Sequence, residues 1–146
     1  MKWIDLPPVW LAACLVLGWA QARLLPVSVF GPGTALGPVL AAVGLALMAL
    51  AAVEMARHRT TIIPRQAPAT LVTSGIFRLS RNPIYLGDLL ILAGAALWWD
   101  SLLGLALVPA LGRLLAHRFI AGEEARLAAT FGADFEGYAA RVRRWL

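Results

Sequence analysis

Four apolar stretches alternate with two polar ones, and this alternation predicts the architecture. The first apolar stretch covers residues 9–25. It is started by Pro7-Pro8, which a first helical turn tolerates because its N–H groups lack intrahelical partners anyway. The turn-forming Phe30-Gly31-Pro32-Gly33 separates it from the second stretch, residues 36–56, which is long enough to cross a hydrocarbon core of about 30 Å at 1.5 Å per residue. The third and fourth, residues 84–99 and 101–119, meet at Asp100. So short a link requires an antiparallel hairpin, and Trp98 and Trp99 beside it read as an interfacial aromatic belt.

The two polar segments differ in kind. Residues 57–83 carry Thr60-Thr61, Pro64, Pro68 and Ser74-Gly75, the residues of loops rather than helices. In residues 122–145, Leu127, Phe131, Phe135, Tyr138, Val142 and Trp145 recur every three or four positions. The opposite face bears Arg126, Asp134, Glu136, Arg141 and Arg143. Glu123 and Glu124 stand in the first turn, where negative charge suits the helix dipole. One amphipathic helix lying on the membrane, or over the cytosolic mouth of the protein, is expected. The fold class is therefore all-α: about four transmembrane helices, a folded loop and a C-terminal amphipathic helix, in a single domain spanning residues 1–146.

Composition places that domain in lipid. Of 146 residues, 60% are hydrophobic and only 14% charged, and the mean hydropathy is +0.75. Lys2, an apolar stretch and Ala20-Gln21-Ala22 imitate a signal peptide, but Pro7-Pro8 interrupts the run, and an uncleaved first helix is expected. A single cysteine, Cys14, excludes a disulfide framework, and His58 and His117 lie too far apart to suggest a metal site. A formal charge of +5 could suggest nucleic acid, yet the basic residues are not interleaved with aromatics and instead flank the apolar spans. With four crossings, every Lys and Arg except Arg23 falls on one side, so the positive-inside rule puts both termini and both polar segments in the cytosol.

Two features inside the spans bear on packing. Asp88 lies five residues past Pro83, and Arg113 lies five before Arg118, so an antiparallel hairpin places them at one depth, about 7 Å inside the helix ends. An Asp88–Arg113 ion pair is expected. Glu54 has Arg57 and His58 at helical spacing. Glycines four apart occur only as Gly33 and Gly37, near the turn.

A pocket for a water-soluble cofactor must open to the cytosol, where the sequence reads Leu71-Val72-Thr73-Ser74-Gly75-Ile76-Phe77, Arg81-Asn82-Pro83-Ile84-Tyr85-Leu86-Gly87, and Glu123-Glu124 before Phe131-Gly132 and Tyr138. These blocks resemble, in order and spacing over residues 57–146, the isoprenylcysteine carboxyl methyltransferase family and its relatives the phospholipid N-methyltransferases. The resemblance implies a membrane enzyme that uses S-adenosylmethionine. It also implies that the cofactor is lined by the segment 69–72 (Thr70, Leu71 and Val72 within it) and by Phe77, wrapped by Asn82-Pro83-Ile84-Tyr85, and reached by Glu123. Asn82 and Ala69 stand where that family often has histidine, so neither position can titrate near neutrality.

The physical logic agrees with the resemblance. Methyl transfer from a sulfonium is a direct displacement that needs alignment and exclusion of water. A carboxylate acceptor, already ionised, needs a positioning cation, for which Arg81 or Arg118 is suited by its bidentate fork. An amine acceptor must first lose a proton, and Glu123 or Glu124 is then the expected base. Carboxyl O-methylation of a lipophilic acceptor drawn from the bilayer is the leading reading, with Arg81, Arg118 and Glu124 as catalytic candidates. Phospholipid N-methylation is its neighbour. An NADPH-dependent membrane reductase and a non-catalytic membrane scaffold are the readings from other classes.

Overall fold

The computed structural model describes residues 5–27, 29–31, 33–60 and 70–146. Lys2, Pro32 and the stretch 61–69, which includes Thr61, Pro64, Arg65, Pro68 and Ala69, lie outside the described residues. The described chain is all-α, with α1 Pro7–Leu24, α2 Leu36–Arg57, α3 Pro83–Trp99, α4 Leu102–Leu115, α5 Ala121–Phe131 and α6 Ala133–Arg141. A short 3-10 turn, Gly75–Arg78, precedes α3, and a π turn, Ala116–Ile120, joins α4 to α5 without a break. Two helical stretches are long and apolar enough to cross a membrane: Leu36–Arg57 and the continuous Leu102–Phe131. Val16, Leu17, Val39, Leu45, Leu50 and Leu102 expose large apolar side chains outward, the reverse of a water-soluble surface.

α2 and α3 approach most closely along a seam of glycines. A Cβ at Gly37 would stand 2.7 Å from the carbonyl oxygen of Gly94, and one at Gly44 would stand 2.7 Å from that of Gly87. Both pairs are spaced by seven residues, which returns to the same helix face after two turns. Ala51, the next position in that spacing, is completely buried. In lipid, where the hydrophobic effect does not drive helices together, such close backbone contact is a main source of association. A search for glycines four apart passes over this seam, because its glycines recur every seven residues.

α1 packs against α4 and α3, with Gly18 facing Gly104: a Cβ there would lie 3.2 Å from the Gly104 Cα. Leu92, Leu111, Leu115, Phe119 and Ile120 form the core between these helices. The hairpin turn is built on Asp100, which takes the left-handed conformation (φ 56°, ψ 43°). Its carboxylate accepts the backbone N–H groups of Val29, Phe30 and Gly31 at 2.9–3.0 Å, pinning the α1–α2 loop to the hairpin. Asparagine tolerates the same backbone but presents one acceptor oxygen instead of two. Asp100→Asn is therefore expected to cost about 2 kcal/mol, the range for hydrogen bonds to a charged acceptor. Thermal unfolding in detergent checks this, and an unchanged melting temperature would mean the loop is held by other contacts.

Two expectations require correction. The Asp88–Arg113 pair does not form, because Asp88 is buried while Arg113 lies on the exposed side of α4. Equal depth sets height along a helix but not rotation about it, and α4 turns Leu111, Gly112 and Leu115 inward instead. The single helix expected over 122–145 is two helices, with α6 ending at Arg141. Gly132 breaks it with φ 50° and ψ −123°, a conformation that a side chain would strain. The break redirects the apolar face, so that Phe135 and Tyr138 are buried in the protein. Glu54 contacts both Arg57 and His58, each at 3.6 Å, as their spacing suggests.

Candidate active site

The start of α1, the C-terminal residues and the turn before α3 converge at one end of the bundle. Pro83 opens α3 there, and residues 143–144 run back alongside the turn that precedes it. The backbone N–H of Arg81 donates to Arg143 O at 3.0 Å, and the Asn82 amide donates to Arg144 O at 3.0 Å. The Ser80 hydroxyl, itself buried, donates to the same Arg144 carbonyl at 3.3 Å. The Arg144 guanidinium then returns to Glu124, at 2.5 Å through Nη2 and 3.2 Å through Nε, and these hydrogen bonds raise its already high pKa. The C-terminal residues thus act as a strap across the turn.

The loop is fastened from the other side as well. Ser74 Oγ makes a short hydrogen bond to Glu54 Oε1 and lies 2.8 Å from His58 Nε2. Gly75, at φ +55°, packs so closely on Glu54 that a Cβ would come within 2.8 Å of its carboxyl carbon. Tyr138 donates its hydroxyl to Phe77 O at 2.7 Å. Burial pushes that phenol up to about 12, partly offset by the Arg81 charge, so it stays a donor across the physiological range.

Between these supports lies a cavity of about 550 Å³. Its wall includes Thr70, Leu71, Val72, Phe77, Arg81, Asn82, Pro83, Tyr85, Glu123 and Glu124, brought together from the loop, α3 and α5. Tyr85 donates to Glu123 Oε1 at 2.8 Å and stacks on Phe119 of the π turn, with ring centroids 6.5 Å apart. Such turns insert an extra residue and re-aim their neighbours, and here Phe119 is turned inward. Arg81 Nη2 lies 3.3 Å from Glu124, so Glu124 bridges Arg81 and Arg144. Arg81 Nε is buried without a hydrogen-bond partner among the described residues, as is the hydroxyl of Thr60 on the same wall.

Arg118 stands apart from the cavity. Its Nε lies 2.5 Å from Asp5 Oδ1 and its guanidinium 5.7 Å from the Trp10 ring centroid, tying the start of α1 to the π turn. The clamp expected of Arg118 is therefore not in reach of the cavity, because the π turn points that side chain outward. Asn82, expected to wrap a cofactor, uses its amide on the strap and lines the cavity with the rest of the residue.

Sequence reasoning assigned Asp88 to an ion pair and Arg126 to a polar helix face, and passed over Met48 and Met55; all four line this wall. Asp88 follows Tyr85 by three residues, a spacing that puts both on one helix face, and this was the available signal. The two methionines come from a helix that reads only as an apolar span, so nothing in their spacing marked them.

A family model described as phospholipid methyltransferase matches residues 32–134. Comparison with curated proteins and with solved structures gives no match.

Proposed function

The chain belongs to the phospholipid methyltransferase family, and on that premise we propose that it is a multi-pass membrane enzyme that transfers a methyl group from S-adenosylmethionine to the head group of an amphiphilic lipid. The observation that carries this reading is the single cavity in which the loop, the Asn82-Pro83-Ile84-Tyr85 turn and Glu123 meet. Its volume falls within the range of about 300–1,000 Å³ typical of small-molecule sites. Its wall is largely apolar, with a few converging polar groups, and Arg81 Nε and the Thr60 hydroxyl, which have no partner among the described residues, leave hydrogen-bonding capacity for a ligand. These residues suit the cofactor.

Thr70, Leu71, Val72, Phe77, Asn82, Pro83, Tyr85 and Glu123 would hold it, and its sulfonium would supply the activated methyl group. Tyr85 would orient Glu123 at the wall, and Phe77 and Phe135 would exclude water. Four crossings, with α1 and α3 joining the two long apolar helices, and a cavity open to the cytosol accord with the charge asymmetry of the chain.

The cavity charges favour an amine acceptor over the carboxylate to which the motif resemblance first points. Among the described residues of the wall, Asp88, Glu123 and Glu124 outnumber Arg81 and Arg126, and Arg81, the cation a carboxylate would need, is drawn to Glu124. Glu124, tied to two arginines, acts as a positioning residue.

Calorimetry with detergent-purified protein and added lipid tests the reading. Saturable S-adenosylmethionine binding is expected, weakened up to about tenfold by Tyr85→Phe through the lost Glu123 contact. No binding by a folded sample overturns the assignment. Saturable NADPH binding would instead favour a reductase, and binding of neither ligand a scaffold.

A further inference from the structure

Asp88 is a carboxylate that the fold leaves without work. It sits on α3 one turn beyond Tyr85, lines the cavity, and is only 2% exposed. Among the described residues no hydrogen bond or ion pair reaches it. The neighbouring acids are engaged: Glu123 accepts from Tyr85, and Glu124 bridges Arg81 and Arg144. A charge inside an apolar helix bundle is expensive and persists where a ligand or a proton pathway uses it.

We propose that Asp88 is the catalytic residue on the acceptor side, holding the ammonium of an amine head group and taking the proton that must leave before nitrogen can attack. This rests on the methyltransferase reading above. Position separates Asp88 from the turn that opens α3: it lies five residues, about 7 Å, further along the helix than Pro83 at 1.5 Å per residue. Met48 of α2, packed on the adjacent Gly87, lines the cavity with it. An amphiphile entering from the lipid would bring its head group to this end.

The chemistry balances. An ammonium has no lone pair, so the Asp88 carboxylate takes one of its protons, leaving a neutral amine and a carboxylic acid. The nitrogen lone pair forms a bond to the methyl carbon of the sulfonium donor. The carbon–sulfur bond breaks with its electron pair passing to sulfur, which becomes a neutral thioether. The product leaves as a methylammonium, and Asp88 passes its proton to water at the cavity mouth. Among the described residues, the titratable or charged groups sharing the cavity with Asp88 are Tyr85, Tyr138, Arg81, Glu123, Glu124 and Arg126, while α1 and α2 present apolar side chains there, such as Pro7, Pro8, Met48 and Met55.

The test uses full-length protein, a short-chain phospholipid with a primary amine head group, and the same lipid with a carboxylate head group. Asp88→Asn is expected to keep S-adenosylmethionine affinity within about threefold, which also reports folding. It should weaken cofactor-free binding of the amine lipid at least about tenfold. Its methyl transfer should fall at least about 100-fold, the range for loss of a general base. The residual rate should climb with pH toward about 10, as the amine deprotonates unaided. Asp88→Glu, which keeps the carboxylate, should recover part of the transfer.

Wild-type amine binding and turnover in Asp88→Asn would overturn the proposal. So would wild-type methylation of the carboxylate lipid alone, and so would a loss of cofactor affinity that Asp88→Glu restores, which would put Asp88 on the cofactor. Absence of cofactor binding by the wild type is the separate failure of the methyltransferase reading.

Discussion

Gly94→Leu is expected to lower the melting temperature in detergent by roughly 10 °C, corresponding to about 3 kcal/mol. The obstruction is backbone: a Cβ on Gly94 would press on the carbonyl oxygen of Gly37 and stand 2.7 Å from the amide nitrogen of Ala41. No rotamer change relieves that, so α2 and α3 must separate along the whole seam, and Gly44 loses its contact with Gly87. The cavity draws Met48 and Met55 from α2 and Tyr85 and Asp88 from α3, so cofactor binding should fall with stability. Gly137→Ala is the control. A Cβ there meets nothing within 4 Å, and alanine should stabilise α6 by about 0.5–1 kcal/mol. A Gly94→Leu protein that melts like the wild type would show that α2 and α3 are not held by this seam.

Glu124→Gln is expected to weaken S-adenosylmethionine binding at least about tenfold. The wild-type carboxylate accepts from Arg144 and neutralises Arg81, and both it and Arg81 are largely shielded from water. Without it two guanidinium groups face each other across the strap, at a cost of about 2–3 kcal/mol, between the values for exposed and buried pairs. The C-terminal residues should then leave the Ser80–Asn82 turn and become open to trypsin at Arg143 and Arg144, which mass spectrometry reads directly. Asp at this position, with its shorter reach, should restore the charge balance but only part of the affinity. Wild-type affinity together with a protected C-terminus in Glu124→Gln would show that the strap is held by its backbone contacts alone.

Much of this site was legible in the linear sequence because its motifs are local. Thr70 to Val72, Phe77 and Asn82 to Tyr85 lie within one short stretch, and any fold that starts a helix at Pro83 brings them near one another. Glu123 joined them through its place in the block order. Asp88 was misread for a geometric reason: depth follows from residue counting, but the direction a side chain faces depends on how the helix is rotated against its neighbours. Arg118 was misplaced for a related reason, since the π turn at Ala116–Ile120 adds a residue to the helical repeat and sends that side chain toward Asp5.

Sequence alone determined that the chain is helical, that its surface suits lipid, where α2 and α3 begin, and that its motifs are those of the related membrane methyltransferases, because apolar periodicity, proline placement and motif order are properties of neighbouring residues. Tertiary structure alone decided that Gly37 and Gly44 meet Gly94 and Gly87, that Gly132 folds the C-terminal face back onto the cavity, that residues 143–144 strap the turn, and that Asp88 faces inward with no partner among the described residues. Each of these is a contact between distant segments, and such contacts depend on the rotation and close approach of whole helices, which no local pattern encodes.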